Sequence, residues 1–139
     1  MPGRGELEGA YLATDYLVYV EEEFVLKIDE YSPRLRQVYS QFGVSSALHI
    51  TAWNPCSQYL AAADNERRQY LLLQAVVESK LPYCRGFGRD PMGEWEGEEH
   101  LVVFGADKEF ASRLARAFEQ NAVVWCGESA VPELMWFVH

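Results

Sequence analysis

The chain has 139 residues and a formal net charge of −9, and 49% of its residues are hydrophobic. This length and composition suit one folded domain with a packed core, so we predict a single domain over residues 1–139. The acidic balance and the scattered basic residues exclude a broad nucleic-acid surface. The longest apolar run, residues 70–77, is too short to span a membrane, so we expect no membrane partner.

The cysteines and the N-terminus indicate the compartment. Cys56, Cys84 and Cys126 are odd in number and form no CxxC pair, which is typical of reduced thiols in a cytoplasm. Residues 1–10, MPGRGELEGA, show no basic segment followed by an apolar one, so we expect no secretory signal. Their glycines and polar side chains predict a loose tail. We therefore expect a cytoplasmic protein.

The next segments predict a hairpin and a short helix. ATDYLVYV and EFVLKIDEY are rich in β-branched and aromatic residues and meet around the acidic residues 21–23, which indicates two paired strands. SPRLRQVYSQFG follows, and its apolar residues fall at helical spacing. Ser32 suits the N-cap of this helix, Pro33 its first position and Gly43 its end.

Residues 45–127 predict the order β-α-β-β-α-β. The strands are SALHITAW, LPYCRGFG, EWEGEEHLVVFG and NAVVWCG, and the helices are AADNERRQYLLLQAVVESK and DKEFASRLARAFEQ. This order is typical of an α+β, ferredoxin-like core, in which both helices cover one face of an antiparallel sheet. We expect SALHITAW and EWEGEEHLVVFG to lie side by side in its centre. The segment ELMWFVH predicts a C-terminal strand.

Details of this core can also be predicted. The first helix is expected to start near Asp64 or Asn65 and to bury Tyr70, Leu73, Val76 and Val77, and Asp107 is expected to cap the second helix. The segment LPYCRGFG contains Pro82 and two glycines, which favour an edge strand. Such an edge can pair with a second copy of the chain, so we expect that a homo-oligomer can form.

The segment TAWNPCSQYLAAADNERRQ, residues 51–69, concentrates polar groups where a strand gives way to a helix. Asn54, Ser57, Asn65 and Arg68 can form a binding site there, because helix N-termini attract anions. The ligand would be a small anionic or nucleotide-like molecule. The alternative is that Asn54 and the following proline make a turn, while Asp64 or Asn65 caps the helix. The sequence leaves both open.

The segment GFGRDPMGEWE allows a second contact region. Gly86 and Gly88 permit a close backbone approach to a ligand, Arg89 supplies charge, and Trp95 supplies a stacking surface. These residues are typical of a loop that contacts a ligand. The alternative is a long hairpin turn with a tryptophan that covers the core.

Two possibilities for catalysis also follow from the sequence. If the two central strands are neighbours, His49 and His100 can approach each other on the face away from the helices, with Glu98 as a third metal ligand. No HxxH, HExxH or CxxC motif supports such a site. Cys56 near a helix N-terminus can act as a nucleophile beside a histidine, or it is an incidental cysteine.

Several motifs carry a family resemblance. SSALHITAWNPCSQYLAAADNERRQYLLL, GFGRDPMGEWEGEEHLVVFG and LARAFEQNAVVW occur in order, and they resemble the bacterial family catalogued as domain of unknown function 3293. The resemblance implies one domain and brings no activity. The strand and helix order is also similar to that of the divalent-ion-tolerance and nitrogen-signalling regulatory proteins, which implies trimers with ligands between subunits.

Taken together, these patterns favour a non-catalytic small-ligand-binding or regulatory module without a cofactor. Its expected ligand-binding residues are Asn54, Ser57, Asn65, Arg68, Arg89 and Trp95. One alternative is an acidic protein-interaction or inhibitor protein, because an acidic surface can steer a basic partner. The other alternative is an enzyme that uses Cys56 or a His/Glu metal site.

Overall fold

The computed structural model describes residues 4–137. This range forms an α+β protein with four α-helices and one seven-stranded antiparallel sheet. The elements in chain order are α1 (Arg4–Ala13), β1 (Asp15–Val20), β2 (Glu22–Leu26), α2 (Pro33–Phe42), β3 (Ala47–Ile50), α3 (Ala62–Ser79), β4 (Tyr83–Arg89), β5 (Glu98–Phe104), α4 (Lys108–Ala117), β6 (Ala122–Cys126) and β7 (Pro132–Trp136). The strands lie in the order β2-β1-β4-β5-β3-β6-β7.

The sheet separates two apolar cores. Side chains of a strand alternate between its two faces, so Leu48 and Ile50 of β3 pack with α3 and α4. Ala47 of the same strand packs on the other face with α2. None of the helices between residues 4 and 137 is long and apolar enough to cross a membrane.

The predicted hairpin and α2 are confirmed. β1 and β2 pair antiparallel, with Val18 opposite Phe24. The Ser32 hydroxyl accepts a hydrogen bond from the Leu35 backbone N–H at 3.1 Å, which satisfies one of the free donors of the first helical turn. Gly43 ends the helix in the left-handed conformation at φ 66°, where a residue without a Cβ is least strained.

The central pair of strands is also as expected. β3 and β5 are neighbours, with Leu48 opposite Val103. The Asp107 carboxylate accepts from the Phe110 backbone N–H at 2.8 Å and caps α4.

The predicted edge position of LPYCRGFG is wrong, because β4 lies between β1 and β5. Pro82 precedes the strand and interrupts no ladder, so a second copy cannot pair along β4.

The expected loose tail is wrong for residues 4–10, which belong to α1. Aromatic contacts from the far end of the chain hold this helix. The Arg4 guanidinium lies 4.7 Å from the centre of the Trp136 ring, and the Tyr11 ring meets the same tryptophan edge-on at 5.5 Å. Residues 1–3 lie outside the described range, as do Val138 and His139 of the expected C-terminal strand.

Two further expectations need correction. The buried side of α3 consists of Asn65, Gln69, Leu72 and Val76, whereas Tyr70 and Val77 are exposed. Polar contacts of Asn65 and Gln69 with the preceding loop set this rotation of the helix. The strand expected over residues 94–105 begins only at Glu98, so Trp95 lies in a loop.

Candidate functional site

A cavity of about 440 Å³ lies on the sheet face opposite α3 and α4. It is found where β3 and β4 end and where β1, β5 and β6 begin, and α1 forms part of its wall. Five aromatic residues line it, namely Tyr11, Tyr16, Trp53, Tyr59 and Trp95. The polar lining includes Asn54, Ser57, Glu96, Glu98, His49, His100 and Gln120. The size and the mainly apolar wall suit a small organic molecule.

Two histidines from neighbouring strands meet at the floor of the cavity. The Nδ1 atoms of His49 and His100 are 2.8 Å apart, and His49 Nε2 lies 2.8 Å from the Leu17 carbonyl oxygen. Burial lowers the pKa of His49 to about 4. Burial, together with the neighbouring His49, also lowers the pKa of His100 well below its usual value. Both imidazoles are therefore neutral at pH 7.

The glycines of β4 make room for these imidazoles. A Cβ on Gly86 would lie 2.8 Å from the Leu17 carbonyl oxygen and 2.9 Å from His49 Nε2. A Cβ on Gly88 would lie 2.9 Å from His100 Nε2. The close approach that these glycines permit is thus to side chains of the protein itself.

Glu98 is the more buried of the two acidic groups that line the cavity. It lies two residues before His100 on β5, so both side chains are on the cavity face. Asn54 Nδ2 donates to Glu98 Oε2 at 3.2 Å. Burial raises the pKa of Glu98 to about 7, although this hydrogen bond lowers it in part. Glu99 faces the opposite way and pairs with Arg85 at 3.3 Å, so only one of these two neighbouring carboxylates lines the cavity.

A reciprocal contact with Asn65 fixes the side chain of Asn54. Asn65 Oδ1 accepts from the Asn54 backbone N–H, and Asn65 Nδ2 donates to Asn54 Oδ1, both at 2.8 Å. Asn54 Oδ1 also accepts from the Leu60 backbone N–H at 3.1 Å. With its oxygen occupied by these donors, Asn54 must turn its amide N–H₂ toward Glu98.

The expectation that Asp64 or Asn65 caps α3 is therefore wrong. Ala61 occupies the N-cap position without a side-chain hydrogen bond, and Asn65 reaches back to the preceding loop instead. That loop is bent, since Asn54, Cys56 and Ser57 all have positive φ angles of 46°, 51° and 60°. Such backbone is strained for residues other than glycine, and it clusters at ligand-binding and active sites.

Ser57 belongs to the cavity wall. Its hydroxyl accepts from Asn121 Nδ2 at 2.8 Å, and the residue lies close enough to Tyr11 to lower the pKa of that phenol in part. Burial raises the pKa of Tyr11 to about 12, with a smaller contribution from the negative charge of Glu98. Ser57 thereby joins α1 to the start of β6.

Of the six residues predicted to bind a ligand, three line the cavity, namely Asn54, Ser57 and Trp95. Asn65 is hydrogen-bonded to Asn54 and fixes its orientation. The two arginines lie elsewhere. Arg68 donates to the carbonyl oxygens of Ala52 and Phe118 at 2.9 and 2.5 Å. Arg89 pairs with Asp15 at 3.3 Å on the surface. Both arginines therefore bind groups of the protein itself.

The sequence predicted that one site could combine His49, His100 and Glu98, with these side chains as metal ligands. Within residues 4–137, no group of three or more His, Cys, Asp or Glu side chains could hold a metal ion.

Cys56 gives no hydrogen bond from its thiol to a described histidine, and its backbone N–H donates to the Glu119 carbonyl oxygen at 2.6 Å. The contribution of Tyr11 was missed, because Tyr11 lies between the expected loose tail and the expected strand ATDYLVYV, where no helix was predicted.

The raised pKa of Glu98 predicts a pH-dependent cost of folding. A carboxyl whose pKa is higher in the folded than in the unfolded protein stabilises the fold at low pH and loses that contribution as pH rises from about 4.5 to about 7. Glu98→Gln removes the charge and keeps an acceptor for Asn54. We expect this variant to be more stable than the wild type by about 2 kcal/mol at pH 8 and no more stable at pH 4.5.

Urea unfolding of both proteins at several pH values checks this prediction. The lowered histidine pKa values act in the other direction, since they remove stability as pH falls from about 6.5 towards 4. Their contribution is common to both proteins and cancels in the difference. Glu99→Gln, on the opposite side of the strand, is the matched control. An equal difference for Glu98→Gln at pH 4.5 and pH 8 would contradict the prediction.

The fold and the cavity define a small α+β protein with an aromatic-walled site that contains a histidine pair and a half-buried carboxyl group. The chain belongs to the family described as Protein of unknown function (DUF3293), whose model matches residues 50–123. This segment contains Asn54, Asn65, Glu98 and His100 of the site. No curated protein and no solved structure matches the chain.

Proposed function

We propose that this protein binds a small organic molecule in the cavity above His49 and His100. The observation that carries the proposal is the convergence of Asn54, Glu98 and His100 on an aromatic-walled space of about 440 Å³. Pockets of this volume with few, well-placed polar groups are typical small-molecule sites. The strained backbone at Asn54 to Ser57 supports the same conclusion.

The charge of the lining favours a neutral or cationic ligand. Among the described residues that line the cavity there are two glutamates and no lysine or arginine. The alternative of an anionic or nucleotide-like ligand would need the charges of Arg68 and Arg89 at the site, but these side chains contact backbone carbonyls and Asp15 instead. The aromatic faces of Trp53 and Trp95 suit a planar molecule or a cation.

Ligand screening tests this proposal. Neutral and cationic aromatic heterocycles are expected to raise the melting temperature by several degrees at a concentration of about one hundred times Kd and to change the fluorescence of Trp53 and Trp95. Aromatic carboxylates of equal size are expected to have no effect. If no compound of either class shifts the melting temperature or the fluorescence, the proposal fails.

A cavity-filling variant provides the matched control. Ala10 lines the cavity from α1, and Ala13 on the same helix is exposed and does not line it. We expect Ala10→Phe to weaken binding of a compound found in the screen at least tenfold, because the added ring occupies ligand volume. Ala13→Phe should bind as the wild type does. Equal affinities for both variants, measured by fluorescence titration, would place the ligand elsewhere.

We also propose that residues 45–127 form a ferredoxin-like core. The strand order β4-β5-β3-β6 and the packing of α3 and α4 against one face of the sheet support it. An experimental structure with another order of these four strands would overturn it.

A cytoplasmic location is proposed on the basis of the free thiols of Cys56, Cys84 and Cys126, which persist in reducing compartments. Cell fractionation with antibody detection tests this location, and recovery of the protein outside the cytoplasm would contradict it.

A further inference from the structure

The hydrogen bonds of His49 determine which of its nitrogens carries the proton. Its Nε2 lies 2.8 Å from the Leu17 carbonyl oxygen, and a carbonyl oxygen can only accept. Nε2 must therefore carry the hydrogen. Because this buried imidazole is neutral, its Nδ1 has a free electron pair and can only accept a hydrogen bond.

The protonation of His100 follows from that of His49. The two Nδ1 atoms are 2.8 Å apart, so Nδ1 of His100 must be the donor. A neutral His100 then has no hydrogen on Nε2. No residue between 4 and 137 donates a hydrogen bond to this Nε2, which lies above Gly88, and both residues line the cavity. The hydrogen bonds from His49 to Leu17 and from His100 to His49 thus leave the Nε2 of His100 unprotonated at the cavity.

We propose that His100 and Glu98 form a general acid–base pair that moves a proton within a bound ligand, with His49 as the positioning residue for His100. This inference rests on the proposed binding function and goes beyond it, because it makes the protein an enzyme rather than the non-catalytic module expected from sequence. The pair lies on one strand face, two residues apart and in one cavity, with one partner a base and the other a carboxyl group held by Asn54.

The proposed step is a prototropic isomerisation. His100 Nε2 takes a proton from one carbon or nitrogen atom of the ligand, and the electron pair of that bond moves into the conjugated system. The Glu98 carboxyl donates its proton to the atom at the other end of that system. The products are the ligand isomer, an imidazolium and a carboxylate. Return of the proton from His100 to Glu98 through water restores the site, so no oxidant, reductant or other reactant is needed.

The substrate class follows from the lining. It is a small, planar, neutral compound with a conjugated carbonyl or imine group, because the walls are aromatic and the lining includes no lysine or arginine among the described residues. The imidazolium and the carboxylate formed during the step have opposite charges and stabilise each other in a largely apolar space.

The protonation pattern can be tested on the wild-type protein without a ligand. Long-range ¹H–¹⁵N correlation spectra of ¹⁵N-histidine-labelled protein at pH 7.5 distinguish the two neutral imidazole forms and the imidazolium. We expect His49 to carry its hydrogen on Nε2 and His100 on Nδ1, with assignments from the single variants His49→Gln and His100→Gln. A hydrogen on Nε2 of His100 would overturn the proposed base.

A chromogenic probe tests the chemistry. 1,2-Benzisoxazole is planar, neutral and small, and the phenolate that it releases is basic enough to accept a proton from a carboxyl group with a pKa of about 7. A base removes its ring C–H proton, the nitrile forms, the N–O bond breaks, and the oxygen leaves as a phenolate that an acid can protonate. We expect the wild type to accelerate this reaction above the buffer rate, and His100→Gln to lower the acceleration at least 100-fold. Glu99→Gln should leave it unchanged.

The pH profile separates a catalytic from a structural role of Glu98. The titratable groups that face the cavity are Tyr11 on α1, Tyr16 on β1, His49 on β3, Tyr59 in the loop before α3, and Glu96, Glu98 and His100 on and before β5. Burial raises the pKa values of Tyr11 and Tyr16, so these two remain protonated. The probe rate of the wild type should fall as pH rises through about 7, and Glu98→Gln should lack this fall. An identical profile for both proteins would exclude the acid role.

The outcomes distinguish this inference from the proposed function. Tryptophan fluorescence reports probe binding independently of turnover. Binding without acceleration overturns the acid–base pair and leaves ligand binding intact, whereas absence of both overturns the two proposals together. Acceleration that persists in folded His100→Gln overturns the role of His100. If that variant does not fold, the spectra of the wild type still decide whether Nε2 is an available base.

Discussion

Replacing Gly86 with alanine is expected to lower the free energy of unfolding by about 3 kcal/mol. The added Cβ would lie 2.8 Å from the Leu17 backbone oxygen, 2.9 Å from His49 Nε2 and 2.9 Å from Val102 Cγ2. Gly86 is in the middle of β4, between β1 and β5, so the backbone of Leu17 cannot move without separating two strands. The hydrogen bond between Leu17 and His49 would also be lost.

Two other glycines provide controls for this prediction. The three atoms nearest to a Cβ on Gly88 all belong to the His100 imidazole, at 2.9 to 3.5 Å. Because a side chain can rotate away, Gly88→Ala should cost about 1 kcal/mol. Gly9 in α1 has nothing within 4 Å of a new Cβ, and Gly9→Ala should be neutral or slightly stabilising. Urea unfolding of the three variants gives the comparison. A loss below about 0.5 kcal/mol for Gly86→Ala would show that the strands can separate at little cost.

Replacing Asn65 with alanine is the second change with a large expected effect. It should lower the free energy of unfolding by about 3 kcal/mol. Asn65 is 2% exposed, and its amide bonds to the Asn54 backbone N–H, to Asn54 Oδ1 and to the Leu60 carbonyl oxygen. Without it, several groups in the strained loop lose their partners, and an unpaired buried polar group costs about 1–3 kcal/mol. The orientation of Asn54 toward Glu98 would also be lost.

Asp64→Ala is the matched control for Asn65→Ala. Asp64 precedes Asn65 and forms an exposed ion pair with Arg67, which is expected to contribute less than about 1 kcal/mol. Asn65→Asp keeps the acceptor for the Asn54 backbone N–H but places a carboxylate oxygen against Asn54 Oδ1, so it should be nearly as damaging as the alanine variant. Equal effects of Asp64→Ala and Asn65→Ala in urea unfolding would favour ordinary helix capping over this network.

Local patterns in the sequence predicted most of the elements. Ser32, Pro33 and Gly43 determined α2, because a cap, a proline at the first turn and a glycine in the left-handed conformation act within a few residues of each other. Asp107 did the same for α4. Strand alternation also placed Glu98 and His100 on one face.

Local patterns failed where a distant partner took over a side chain. Asn65 read as a helix cap, but Asn54, eleven residues earlier, binds its amide. The glycines of β4 read as features of an edge strand, but they admit imidazoles from β3 and β5. Residues 4–10 read as a tail, but Trp136 near the other end of the described chain packs against α1.

The sequence by itself determined the order of the elements from β1 onward, the acidic charge and the residue types from which a site can be built. Those properties depend on composition and on contacts within one or two turns of chain. The tertiary structure alone decided that Arg68 and Arg89 bind the protein itself, and that His49, held by Leu17, leaves the Nε2 of His100 without a hydrogen. Protonation depends on burial and on which groups meet across strands. Neither the burial nor these contacts can be inferred from the order of the residues alone.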